Sequence, residues 1–276
     1  QEIGGSVKSS PFFVVICAQV NEMLSLLVWR FGLILELVIL IRAVANRALA
    51  KFPYFYAYIF CVFCVSAALS IPYISSTGSY YKWYWPTQFA TLVAGCGVIL
   101  DIVRHTFAFY PGAERVARLA SLGVFGATFC YVGLRVAFRP HVVLPIAVTV
   151  ELERDLRVIQ ALLLVTVLTI ISYYRIEIGR NVTGLIVGFG TYVGASLIVL
   201  ALRAFLGPRF NSVWTLAQSG SYLFALTVWT VALWSYVAQP VPTNRLRMQG
   251  DYDALAGATR EVLQSLRSYF RRTARS

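Results

Sequence analysis

Asp101 and His105 stand four residues apart in the run VILDIVRH, which puts a carboxylate and an imidazole on one helical face with Arg104 beside them. A third ionisable group, Glu36, sits in LILELVIL, well away from Arg30 and Arg42. At the centre of a membrane helix each such group costs at least about 2.5–3.5 kcal/mol on insertion scales. If the helices that carry them face one another, Glu36, Asp101 and His105 form a proton relay or cation site opening to the cytoplasm. The plainer reading is a structural pairing of Asp101 with His105 or Arg104 near an interface that water reaches.

A second polar group lies in ELERDLRVIQ, residues 151–160. Glu153, Arg157 and Gln160 fall at i, i+4 and i+7 on one face, and Leu152, Leu156 and Ile159 on the other. Acidic residues there also suit the start of a helix. This stretch reads either as a solvated cap with internal ion pairs at the outer mouth of a span, or as an outer ligand pocket built on Arg157 and Gln160.

Catalytic signatures are missing from the sequence. It contains no H-E-x-x-H, no phosphate-binding glycine loop, no G-x-S-x-G and no paired acidic metal motif, so a non-enzyme is expected. Cys61 and Cys64 make a C-x-x-C without a second pair or a nearby histidine, and no metal site is expected. Together with Cys17, Cys96 and Cys130 they fall in apolar segments and read as buried thiols. His141, in RPHVVLP, reads as a loop residue. The only lysines are Lys8, Lys51 and Lys82, so the last apolar segment has none to carry a retinal Schiff base. No cofactor is expected; pigment ligation would rest on His105 alone, and lipid binding stays open.

The elements that position these groups follow from composition. The 276 residues are 58% hydrophobic and 13% charged, with mean hydropathy +0.69, too apolar for a water-facing exterior. A helix needs about 20 apolar residues to cross the hydrocarbon, whereas a barrel strand needs about 10 alternating ones. The long continuous runs here therefore predict an all-α polytopic protein with a seven-helix transmembrane bundle over residues 23–238. Its spans are expected at Met23–Val44, Phe52–Ile74, Trp85–Tyr110, Val116–Phe138, Leu156–Tyr174, Val182–Leu206 and Val213–Val237. Residues 1–22 form an outer or interfacial segment. Apolar character reaches back to Pro11, so either the first helix projects from the membrane or Phe12–Val20 lies at its surface.

The net charge of +12 would suggest nucleic acid in a soluble chain, but here the basic residues flank the spans, and no nucleic acid is expected. Arg42, Arg47, Lys51, Arg104, Arg115, Arg118, Arg175 and Arg180 share one side with the basic tail. That predicts the amino terminus outside and the carboxyl terminus in the cytoplasm. Gly184, Gly188, Gly190 and Gly194 form two G-x-x-x-G pairs, a helix-packing face for a neighbour in the bundle or for a second subunit. Residues 239–276 are a cytoplasmic tail, whose amphipathic helix 251–272 offers Tyr252, Leu255, Val262, Leu266 and Tyr269 for docking on the bundle, the lipid surface or a partner.

In order along the chain, KFPYFYAY (51–58), DIVRH (101–105), FYPGAERVARL (109–119), ELERDLRVIQ (151–160) and a glycine-rich span ending LALRA (200–204) resemble a group of seven-span bacterial membrane proteins frequent in Acidobacteria. The resemblance covers Arg42 to the tail. It implies the topology and a bacterial inner-membrane location, and it implies no activity. The charges of the first span depart from that pattern. The function expected is a non-catalytic accessory, assembly or sensory subunit of a membrane complex, with lipids and a membrane-protein partner or a second copy around it. The alternative is a transporter or proton- or ion-conducting protein that uses the intramembrane acids.

Overall fold

The computed structural model describes residues 11–75, 77–137, 145–206 and 211–240, with 250, 253–254, 257, 259–261 and 264 in the tail; side chains of 11–25, 70–86, 132, 135–137, 145–152, 203–204, 206 and 211–215 lie outside the description. Among the described residues the fold is all-helical. Seven α-helices, α1 (Pro11–Ala45), α2 (Pro53–Ser75), α3 (Thr77–Thr106), α4 (Pro111–Ala137), α5 (Pro145–Tyr174), α6 (Arg180–Leu206) and α7 (Asn211–Ala232), are joined by short connections, with one 3-10 turn at Ala48–Ala50. Prolines open α1, α2, α4 and α5. Their fixed φ suits the first helical position, where the missing N–H has no partner to lose.

Three helices are long and apolar enough to cross a membrane within the described residues: Thr87–Thr106, Glu153–Tyr174 and Arg180–Leu202. The apolar part of α2, Pro53–Leu69, is shorter. The helix α1 is continuous over 35 residues, about 50 Å at 1.5 Å per residue. Residues 11–22 thus extend the first helix rather than forming a separate surface segment. Described tail positions from Gly250 to Gln264 are helical. The tail stripe of Tyr252, Leu255, Val262, Leu266 and Tyr269 lies outside the described residues, as does His141.

Neighbour contacts close a ring in the order α1, α2, α3, α5, α6, α7 and back to α1, with α3 also reaching α6. The helix α4 packs outside this ring on α3 and α5. Its exposed Val116, Leu119, Leu122, Val124 and Leu134, with Ile34, Ile41, Phe60, Leu162, Val165 and Ile198 on other helices, leave the outer surface apolar. Such a surface suits lipid as solvent. Cys64 and Cys130 are exposed on this surface, so of the thiols expected to be buried only Cys96 is fully so among those described, while Cys61 is intermediate.

The helix α7 stops at Ala232, earlier than the expected Val237. The reason is a side-chain clamp from the start of α6. Asn181 Nδ2 donates to the carbonyls of Ala232 and Ser235, each at 3.0 Å, and its Oδ1 accepts from the Val237 amide at 2.8 Å. Arg180 Nη2 donates to the Val231 carbonyl at 2.6 Å. Carbonyls that would otherwise continue or fray the helix are satisfied from outside it. Asn181→Ala is expected to destabilise by about 1–3 kcal/mol, because these groups lose their partner in a buried setting. Hydrogen exchange at the Val237 amide is the direct readout; unchanged protection would contradict the clamp.

Candidate functional site

Acid and base sites read separately from the sequence meet differently in space. Asp101, fully buried, points to the first turn of α2, where the Phe55 N–H donates to its Oδ2 at 2.8 Å. Pro53 begins that helix, so Asp101 caps from a neighbouring helix the amides that α2 cannot satisfy itself. His105 turns back on its own helix: Nδ1 donates to the Asp101 carbonyl at 2.8 Å, and its ring stacks on Phe52 with centroids 4.3 Å apart. Arg104 is exposed. The expected cluster of Glu36 with Asp101 and His105 is not assembled; Asp101 and His105 belong to the α2–α3 joint.

Glu36 instead faces the centre of the ring. It is 2% exposed, and the Tyr222 hydroxyl donates to its Oε1 at 2.8 Å. On the same cavity wall stands Arg157, 5% exposed. Its Nη2 donates to the Tyr192 hydroxyl at 2.9 Å, and the guanidinium lies 4.5 Å from that ring's centroid. Arg157 Nη1 reaches Gln160 Oε1 at 3.5 Å, and Glu153 Oε1 lies 4.0 Å from Nη2. Gln160, with no exposed surface, passes its amide on to Cys96 Sγ at 3.7 Å. Glu153, Arg157 and Gln160 are therefore one cluster, as their spacing predicts.

The location of that cluster differs from the expectation for a physical reason. The helix α5 begins at Pro145, not near Leu156, which carries Arg157 about 18 Å along the helix from its start. What reads as the start of a helix lies within one, although Arg157 is still in the first turns of the apolar span Glu153–Tyr174. Arg157 and Glu36, assigned to opposite ends of the membrane, share a single cavity of about 440 Å3.

The cavity is also lined by Leu26, Trp29, Leu69, Gln88, Thr91 and Ser219, from the end of the bundle where α1, α3, α5 and α7 begin and α2 and α6 finish. Toward the other end it is closed. Phe55, Phe189 and Trp229 lie one or two turns beyond Tyr58, Tyr192 and Tyr222, and all three are 0% exposed. Their rings interlock edge to face, Phe55 with Trp229 at 5.2 Å and Tyr58 with both Trp229 and Phe189 at 6.2 Å.

Two polar atoms in this cluster carry no hydrogen bond, Glu36 Oε2 and Arg157 Nε. Buried polar groups are seldom left so, and the exceptions mark strain, a ligand or water. Tyr58, Tyr192 and Tyr222 complete the site, although no motif in the sequence marks them. A signal was there: each places a phenolic hydroxyl deep in an apolar run, and a buried Tyr needs a polar partner. Among the described residues no group of three or more His, Cys, Asp or Glu could hold a metal ion.

The four glycines of α6 divide. A Cβ on Gly188 would lie 2.8 Å from Trp229 Cδ1 and 2.9 Å from Cε2, and one on Gly184 would strike Ala232 Cβ. Beside Gly190 and Gly194 there is open space. At 3.6 residues per turn the two pairs point about 120° apart, so they form two faces and not one. Comparison of the chain with protein-family models, with curated proteins and with solved structures finds no match.

Proposed function

We propose that this chain is a seven-span protein of the bacterial inner membrane, amino terminus outside, which acts without catalysis as a sensory or accessory subunit and holds a ligand in its central cavity. One observation carries the reading: Glu36 and Arg157, both nearly fully buried, line one cavity, and each also holds a polar atom without a hydrogen bond. Ionisable side chains among membrane helices are expensive, and function is the usual reason for keeping them. The family resemblance and the distribution of basic residues support the topology. On that topology the cavity faces outward.

The transport reading draws on the same two charges. Against a continuous path stands the aromatic layer of Phe55, Phe189 and Trp229, which closes the cavity on the cytoplasmic side. A pocket open on one side suits sensing better than conduction. The apolar exterior and the basic tail leave surface for lipids and for a membrane-protein partner or second copy.

Ser219, on the cavity wall, supplies the test. In sealed cells a Ser219→Cys variant lacking the native cysteines is expected to react with a membrane-impermeant maleimide added outside. Reaction only in inverted vesicles would reverse the topology. No reaction from either side would remove the ligand-site reading.

A further inference from the structure

We infer that the central cavity takes an organic cation, an ammonium on an apolar body, with the ammonium paired to the Glu36 carboxylate; the inference rests on the reading of the cavity as a ligand site. Charge balance decides the sign. The polar cluster holds two carboxylates, Glu36 and Glu153, and one guanidinium, Arg157, so with all three ionised it carries one negative charge in excess. Arg157 is already engaged by Glu153, Tyr192 and Gln160. Glu36 has only the Tyr222 hydroxyl on Oε1, and its Oε2 is unbonded. The charge left to be matched is therefore that of Glu36.

The walls select the kind of cation. Tyr58, Tyr222 and Trp29 line the cavity together with Leu26, Val62 and Leu69. Aromatic faces attract organic ammonium groups. A cation on such a wall is present within the protein itself, since the Arg157 guanidinium lies over the Tyr192 ring at 4.5 Å. A small metal ion fits poorly: calcium takes six to eight oxygen ligands and magnesium near-ideal octahedral geometry, whereas the cavity lining holds a single carboxylate, Glu36, and that is already hydrogen-bonded to Tyr222. An anion would meet in Arg157 a charge that Glu153 already offsets, with the Glu36 carboxylate on the same cavity wall.

The test uses pairs that share an aromatic body and a two-carbon linker and carry opposite terminal charges, phenethylamine against 3-phenylpropionate and tryptamine against indole-3-propionate, titrated into the full chain in lipid nanodiscs. Each amine is expected to bind about tenfold or more tightly than its carboxylate twin, in keeping with the value of a buried charge partner. Glu36→Gln keeps an acceptor for Tyr222 and removes the charge. It is expected to abolish the advantage of the amines while leaving the carboxylates bound as well as before or better. Equal binding within each pair, preference for the carboxylate, no binding of either amine, or amine binding unaltered by Glu36→Gln would each overturn the inference. Labelling of Ser219→Cys decides separately whether the cavity is reached from water, so the ligand class can fail while the site stands.

Discussion

Gly188→Ala is expected to lower the thermal unfolding midpoint of the bundle, whereas Gly190→Ala and Gly194→Ala in the same helix leave it unchanged or raise it. The opposite signs come from two competing terms. Alanine in place of glycine in a helix interior gains up to about 1 kcal/mol of helix propensity. At Gly190 and Gly194 nothing lies within 4 Å of the new Cβ, so that gain is unopposed. At Gly188 the methyl runs into the indole of Trp229, whose Cδ1 and Cε2 would lie 2.8 and 2.9 Å away.

Trp229 cannot retreat cheaply, being fully buried and packed edge-on against Phe55 at 5.2 Å, Tyr58 at 6.2 Å and Tyr222 at 6.5 Å. Overpacking of this kind costs about 1–3 kcal/mol and outweighs the propensity gain. A Gly184→Ala, Gly188→Ala double variant should lose more, since the Gly184 Cβ strikes Ala232 on the same neighbouring helix. Because Trp229 packs against Tyr58 and Tyr222, which line the cavity, the shift should also alter the cavity's shape. Midpoints in detergent for the three single variants and the double variant check the signs; a Gly190→Ala or Gly194→Ala variant destabilised as much as Gly188→Ala would place the packing face elsewhere.

Removing the carboxyl at position 101 has the second large effect. Asp101→Ala leaves the Phe55 amide without its 2.8 Å partner in a region where neither residue has exposed surface. Loss of a helix cap costs about 1 kcal/mol and an unsatisfied buried donor about 1–3 kcal/mol. A total near 2 kcal/mol is expected for these overlapping terms. Asp101→Asn keeps an oxygen acceptor and forfeits only the interaction of charge with the α2 dipole, a fraction of that amount. Equilibrium unfolding of both variants separates the roles. A proton relay would leave both variants stable and lose function in Asn, whereas a cap makes Ala unstable and Asn close to the parent protein.

Helical, apolar character was legible residue by residue. Continuous hydrophobic runs and the prolines at helix starts are local signals, and six of the seven expected segments finish within four residues of the C-terminus of their helix. The exception at a C-terminus is α7, stopped by Asn181 from α6. No periodicity of the 213–237 segment contains that partner. At the amino ends of α3 and α5 the helix runs further back than apolar character does, through Tyr80–Trp85 and through ELERDLRVIQ. Polar residues extend a helix without extending its hydrophobic signal.

The candidate site shows where local reading runs out. Spacing alone groups Glu153, Arg157 and Gln160, because residues three and four apart on one helix are neighbours whatever surrounds them. It also yields two glycine pairs in α6. The joining of Glu36 on α1 to Tyr222 on α7, and of Arg157 on α5 to Tyr192 on α6, depends on which helices become neighbours and at what depth they cross. That order, with α1 closing the ring on α7 and α4 left outside, is a property of packing between distant segments. The same physics sorts the acids: Asp101 and Glu36 are alike as isolated carboxylates in apolar runs, and only their neighbours make one a helix cap and the other the wall of a cavity.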